Sequence, residues 1–384
     1  MSFQVTAGHR TVIGEGAFEL ALPQIAKFGK TALIVTGKIV TKTGLTSQIA
    51  SLLKTVGVAS EVFNDIPGEP DDLTVEAGTT AYQKSGCDFV IGLGGGSPLD
   101  TAKAIAAMSV LPGKVTDYAG KEMSGALPPL VLVPTTAGTG SEATKFFCVT
   151  DTKRNVKLLL KGDDLLPDIA VVDYTYSLTS PQSVTVATGM DALTHAVEAY
   201  TSKKATPVTD LYALDAIKRI FTNLPLVYED GSNRKAREEM TLAAYEAGFC
   251  INNSSVTLVH GMSRPIGALF HVPHGISNAM LITECLRFAL DGSYVRFGNI
   301  GRAIGAAHES ANDIAASEAF LEALVSLTKK LRIPTLREYG LDCAAFRAVE
   351  GKMADDALAS GSPANTLKQI TKDDEVLIYE RLWS

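Results

Sequence analysis

IGLGGGSPLDTAKAIA, residues 91–106, opens as an apolar strand, turns through three successive glycines and closes as the start of a helix. Such a junction belongs to an α/β unit. The missing side chains at Gly94, Gly95 and Gly96 leave backbone N–H groups free to close on an anion, while Ser97, Pro98 and Asp100 suit a helix N-terminus, whose dipole favours phosphate. The spacing is not the usual dinucleotide fingerprint, because G-x-G-x-x-G read from Gly92 ends on Ser97 and the loop follows the third strand of the pattern. No Gly-Lys-Ser/Thr follows, so it is not a P-loop either. Taken alone, the stretch reads as a diphosphate cradle or as a tight strand-to-helix turn.

Working outward from this loop, short β-branched runs alternate with helical patterns: TALIVT (31–36), a helix near 43–56, EVFN (61–64), a helix near 71–85 and DFVIGL (88–93). Continuous apolar strands separated by amphipathic helices predict a mainly parallel sheet covered on both faces. PLVLVP (129–134) and IAVVD (169–173) continue it. Two hairpins are expected beside the sheet, FQVTA with RTVIG near the start and FFCVT with NVKLLL around 151–154. After PLVLVP comes a second loop of small residues, VPTTAGTGSEAT (133–144), offering hydroxyls from Thr135, Thr136, Thr139 and Ser141. Ligands of open α/β sheets bind at the carboxyl ends of the strands, and a dinucleotide, with two phosphates and two riboses, would use both loops.

Beyond Pro181 no segment reads as a strand. Residues 209–224, 237–251 and 315–331 carry apolar stripes at i, i+3, i+4 and i+7, so the expectation is an α/β dinucleotide-binding domain over 1–180 and an all-helical domain over 181–384. A cleft between two such domains is a favoured ligand site. The length of 384 residues also exceeds the size at which one core usually stops growing. A net charge of −7, without a run of Lys or Arg, gives no footprint for nucleic acid or an anionic membrane. No secretory signal and no segment of about 20 apolar residues is present, which predicts a cytoplasmic protein. The five cysteines are scattered without a CxxC pair and read as buried small hydrophobes rather than a disulfide framework or thiolate metal site.

GMDALTHAVEAY (189–200) sets Leu193, Ala196, Val197 and Tyr200 on one helix stripe and Asp191, His195 and Glu198 roughly opposite. A carboxylate and an imidazole at i and i+4 make either a solvated pair or half of a metal site. VHGMSRPIGALFHVPHG (259–275) adds His260 on a predicted helix and His274 between Pro273 and Gly275. Asp191, His195, His260 and His274 would supply one carboxylate and three neutral imidazoles, a set suited to ferrous iron or zinc with a position left for substrate. Singly, His260 also reads as a packed helix histidine and His274 as a turn residue. Glu198 reads as a solvated carboxylate or one standing behind a ligand.

In sum, GGGSPLDTAK, TTAGTGSE, GMDALTHAVEAY and the HGM…VPHG segment resemble, in order and over essentially the whole chain, the iron-containing (group III) alcohol dehydrogenases. The resemblance implies a metal-dependent NAD(P) alcohol dehydrogenase or aldehyde reductase acting on a small alcohol or carbonyl substrate, and a homodimer. It implies metal ligation by Asp191, His195, His260 and His274, with Fe2+ expected ahead of Zn2+ and Zn2+ the alternative, and extends the cofactor-binding residues to Lys157 and Leu178. A glycerol-dehydrogenase-like polyol dehydrogenase, a dehydroquinate-synthase-like enzyme and a dinucleotide-binding protein that has lost turnover share the architecture.

Two positions depart from the family pattern. Many members carry a histidine where this chain has Arg264, and a guanidinium stays protonated and is no general base. Arg264 could bind an acidic group of the substrate, orient the cofactor or make a structural ion pair, which leaves His271 as the candidate proton relay. The other is Gly37, where NAD-preferring members place an aspartate that would repel a 2′-phosphate; glycine, with Lys38 beside it, should admit NADP. The metal is expected to act as a Lewis acid on the substrate oxygen while the two loops position the nicotinamide for hydride transfer.

Overall fold

Alternation along the strands explains the first half of the chain. The computed structural model describes residues 2–383, and contains β1 (Thr11–Ile13), α1 (Ala17–Ile25), β2 (Thr31–Thr36), α2 (Lys38–Lys42), α3 (Leu45–Thr55), β3 (Ala59–Phe63), α4 (Asp72–Ser85), β4 (Phe89–Gly94) and α5 (Gly96–Met108). Then come β5 (Leu130–Pro134), β6 (Phe146–Asp151), β7 (Val156–Lys161) and β8 (Ile169–Val172). Six strands form one all-parallel sheet in the order β1-β8-β5-β4-β2-β3. Ile34, Ile91, Val131 and Val133 face α1 and α3, while Leu33, Val35, Val90, Leu130 and Leu132 face α5. Both faces of the central strands β4, β5 and β8 are therefore buried, which is why they lack polar side chains, whereas the edge strand β3 carries Ser60 and Glu61.

β6 and β7 pair as the antiparallel hairpin expected around residues 151–154, and their apolar face packs with Ala104, Ala107 and Met108 of α5. The N-terminal hairpin does not form. Thr11–Ile13 pairs in parallel with Ala170–Val172 instead, and residues 2–5 group with the helical half, so FQVTA is not a strand partner.

The chain divides into two compact units, residues 6–180 and residues 181–383 with 2–5. The second contains α6 (Gln182–Tyr200), α7 (Pro207–Glu229), α8 (Arg234–Ser254), α9 (Leu258–Phe270), α10 (His274–Ala289), α11 (Tyr294–Ala303), α12 (Asp313–Lys330), α13 (Leu336–Tyr339), α14 (Cys343–Ala359) and α15 (Lys372–Arg381), and no strand among the described residues. α6 departs from an ordinary amphipathic helix. From Gly189 to Tyr200 every residue is buried, and Asp191, His195 and Glu198 are 2%, 5% and 0% exposed, so the solvated-pair reading is wrong. Neighbouring helices cover its polar stripe as well as its apolar one. Cys87, Cys250 and Cys285 are buried, Cys148 and Cys343 half-buried, and none of the five is in a disulfide.

Candidate metal and dinucleotide sites

The sheet reverses its direction of build-up between β2 and β4: β3 lies beyond β2 on one side, while β5 and β8 follow β4 on the other. Outside the carboxyl ends of two such strands there is a natural crevice. Gly37 ends β2 there, Gly94–Gly96 end β4, and an added Cβ on Gly37 would meet Pro98 at 3.9 Å. The loop after β5 joins them. Thr135 N donates to Gly94 O at 2.8 Å, and a side chain on Gly96 would stand 2.8 Å from Thr139 Cγ2, so glycine is needed for the two loops to lie side by side.

Beneath these loops lies a buried anchor that the sequence did not disclose. Lys103 on α5 is fully buried and donates to Ser141 O, Thr144 O, Thr144 Oγ1 and Phe146 O at 2.6, 2.7, 3.0 and 2.9 Å. Burial pushes its pKa down to about 8, with Asp100 and Glu142 opposing. Asp100 accepts from Ser141 Oγ at 2.7 Å and from Cys148 N at 2.9 Å; it does not cap the helix. Asp100 and Ser141 therefore tie α5 to the second loop, while Ser97 and Pro98 lie in the first turn of α5 and Thr136 and Thr139 in the loop after β5. Lys157 on β7 pairs with Glu69 at 2.8 Å, and Leu178 is half-buried after β8.

In the helical unit, four side chains from three helices converge on one point. Asp191 and His195 sit one turn apart on α6, His260 lies in the first turn of α9, and His274 begins α10. One ligand atom from each lies within 4.8 Å of all the others. Asp191 Oδ1 is 3.9 Å from His195 Nε2 and 3.6 Å from both His260 Nε2 and His274 Nε2. Two donors each about 2.1 Å from one ion at tetrahedral angles lie about 3.4 Å apart, so these separations suit one divalent ion. Gly275 makes the convergence sterically accessible, since a side chain there would meet Ala187 O of α6 at 2.5 Å.

The cluster's electrostatics favour a cation. Burial alone would raise the Asp191 carboxyl, but His195, His274 and His260 outweigh it and hold it well below the ordinary carboxylate range. Glu198 accepts from His260 Nδ1 at 2.5 Å through Oε2, and from Thr257 Oγ1 and Val259 N at 2.8 and 2.6 Å through Oε1. It thus caps α9 and fixes His260 with its proton on Nδ1 and its Nε2 lone pair toward Asp191. Asn278, one turn beyond His274, places Nδ2 at 2.7 Å from Asp191 Oδ1 and at 3.1 and 3.2 Å from His260 and His274 Nε2. Reading the sequence missed Asn278, although its i+4 spacing from His274 repeats that of His195 from Asp191.

Two candidates lie elsewhere. His271 ends α9 in the left-handed region, φ 55°, and is exposed, with no hydrogen bond to the four. Arg264 is half-buried and donates through Nη1 to Ser362 Oγ at 2.8 Å; no carboxylate of the described residues pairs with it, so it is not the structural ion pair.

A phosphate-suited double loop on a parallel sheet and a carboxylate–imidazole cluster among helices are the two halves of a metal-dependent dinucleotide oxidoreductase. Residues 8–174 match the iron-containing alcohol dehydrogenase family and residues 185–383 its C-terminal domain, and the chain belongs to that family. It is accordingly an oxidoreductase of alcohols. It is 36% identical over 327 residues to the NAD-dependent methanol dehydrogenase of Bacillus methanolicus, covering 85% of this chain and 86% of the other. It is 38% identical over 338 residues to the 1,3-propanediol dehydrogenase of Citrobacter freundii, with coverage of 87% and 86%. A crystal structure of 1,3-propanediol oxidoreductase superposes with a TM-score of 0.95 at 33% identity over 100% of both chains. Among the described residues no helix is long and apolar enough to cross a membrane.

Proposed function

We propose that this protein is a cytoplasmic homodimer that interconverts a small alcohol and its aldehyde or ketone, with ferrous iron on Asp191, His195, His260 and His274 and a nicotinamide dinucleotide on the loops after β2, β4 and β5. The convergence of the four donor atoms within 4.8 Å carries this reading. When bound, the ion supplies a Lewis acid for the substrate oxygen, and zinc could fill the same donor set. Asp191 contributes the one charged donor beside the three imidazoles. Glu198 keeps the His260 ring from rotating and its tautomer from changing. The backbone of Gly94–Gly96 and the start of α5 hold the diphosphate, with Thr136 and Thr139 beside it. Lys103, from below, keeps the second loop in register with the first.

The relatives include an NAD-dependent enzyme, and this chain's Gly37 removes the carboxylate that would reject a 2′-phosphate, so NADP is accepted as well. Lys38, exposed and paired with Asp65 at 2.7 Å, is available to exchange that partner for the phosphate. The test is metal analysis of anaerobically purified protein, followed by NADH and NADPH oxidation with short aldehydes. About one iron per chain and turnover with both nucleotides are expected. Failure of Asp191→Ala or His195→Ala to lose the metal overturns the ligand assignment, and a strong preference for NADH overturns the reading of Gly37.

A further inference from the structure

Among the described residues no carboxylate pairs with Arg264. Three other part-buried arginines of the helical unit each meet a carboxylate: Arg219 meets Asp215 and Glu239, Arg296 meets Asp210, and Arg302 meets Asp313; the fully buried Arg237 is held instead by Gly231 O and Thr185 Oγ1, through two of its nitrogens. Arg264 meets only the neutral hydroxyl of Ser362, which uses one of its five N–H donors. The donors that Ser362 does not use are open to an anion from solution, which a guanidinium binds through charge-assisted hydrogen bonds.

Its position says where that anion comes from. Arg264 follows His260 by four residues of α9, about 6 Å along the axis, and helical side chains lean back toward the N-terminal turn, here the turn that carries His260. It also lies between two stripes of the helix. One is the His260 stripe, whose Nε2 faces Asp191; the other is the Gly261 stripe, where a Cβ would touch the ring of Pro363 at 2.6 Å, so the Ser362–Pro363 segment covers that side. Ser362, only 5% exposed, fixes one edge of the guanidinium and leaves its remaining donors uncommitted. The charge balance agrees: Asp191 and Glu198 together match a dication, and Arg264 is positive charge in excess.

We infer that the substrate carries an anion at its far end: a short alcohol or aldehyde whose reacting oxygen is held at the four-residue cluster while a carboxylate or sulfonate, a few atoms away, is held by Arg264. This rests on the proposed oxidoreductase site and names its substrate class. Planar bidentate recognition by arginine suits both oxyanions, and a lysine would offer only a point charge.

The experiment compares 3-hydroxypropanoate, 2-hydroxyethanesulfonate and 1-propanol as substrates of the iron-loaded enzyme, in wild type, Arg264→Gln and Arg264→Lys. At least one anionic alcohol should exceed 1-propanol in kcat/KM by about tenfold or more. That ratio should fall on the order of 10- to 100-fold in Arg264→Gln and less in Arg264→Lys. Wild-type enzyme that favours 1-propanol over both anions, or a ratio unmoved in Arg264→Gln, overturns the inference. Binding is read separately by calorimetry with ethanesulfonate, a poor metal ligand that cannot react. Should no alcohol turn over, the oxidoreductase reading fails on its own, and the titration decides the anion site: binding lost in Arg264→Gln upholds it, and binding that is absent or equal in both proteins overturns it.

Discussion

Glu198 touches no substrate, yet it governs how His260 enters the cluster. Both its oxygens are used, one on His260 Nδ1 and the other on Thr257 Oγ1 and the first amides of α9. In Glu198→Gln the amide can still accept from α9, but an NH2 facing Nδ1 forces the imidazole proton onto Nε2, the atom aimed at Asp191. Affinity for iron should therefore fall about 10- to 100-fold, as is typical when the partner behind a metal-bound histidine is changed. The check is iron retention against a graded series of chelator concentrations, with circular dichroism confirming that the helices persist. Retention equal to wild type would mean that Glu198 matters only to α9. Helical period places Glu198 with Asp191 and His195 from sequence alone. It cannot say that α9 and α10 close over that stripe, and this burial turns a solvated carboxylate into the orienting one.

At the scale of elements, α5 is the member that joins the two nucleotide loops. It begins in the glycine turn, and from Leu99 to Met108 it is buried nearly all round, by the sheet on one side and the β6–β7 hairpin on the other. A helix enclosed this way can tolerate Lys103 only because three carbonyls and a hydroxyl receive its ammonium. Lys103→Met fills the same volume but strands those carbonyls and leaves Asp100 and Glu142 without their buried cation. A loss of about 3 kcal/mol or more is expected in urea unfolding, together with weaker dinucleotide binding in a direct titration. Stability within 1 kcal/mol of wild type would show that the loop holds itself. The strands, α5 and the later hairpin were legible because periods of 2 and 3.6 are written into the apolar residues. Lys103 was not, since a lysine in a helix pattern ordinarily marks the solvent face. The N-terminal hairpin misled for a related reason: FQVTA alternates like a strand, but residues 2–5 group with the helical unit and β1 pairs with β8 alone, leaving its outer edge unpaired among the described residues.

Across the whole molecule, three glutamates are held up by burial, which in Glu142 and Glu246 outweighs the neighbouring Lys103 and Arg219 and in Glu375 meets no opposing cation. Burial, with Asp355 and Asp374 nearby, pushes Glu375 up to about 8; burial, with Asp215 beside it, does the same to Glu246; and Glu142 reaches about 7. Glu375, on α15, is fully buried, and neither oxygen has a hydrogen-bond partner. The sign follows from proton counting. Above an ordinary glutamate pKa of 4.5 the unfolded chain gives up these protons while the folded chain keeps them, so stability is fully present below pH 4.5 as far as these groups are concerned. It declines as pH rises toward 8 and levels off above it, where the folded protein too must ionise the buried acids. Glu375→Gln keeps the shape and removes the titration. The variant should be close to wild type at pH 5 and more stable by up to a few kcal/mol at pH 8.5, read from denaturant midpoints at the two values. A constant offset between the proteins at both pH values would mean that Glu375 ionises alike in the folded and unfolded chain, and the decline would then have to come from Glu246 and Glu142.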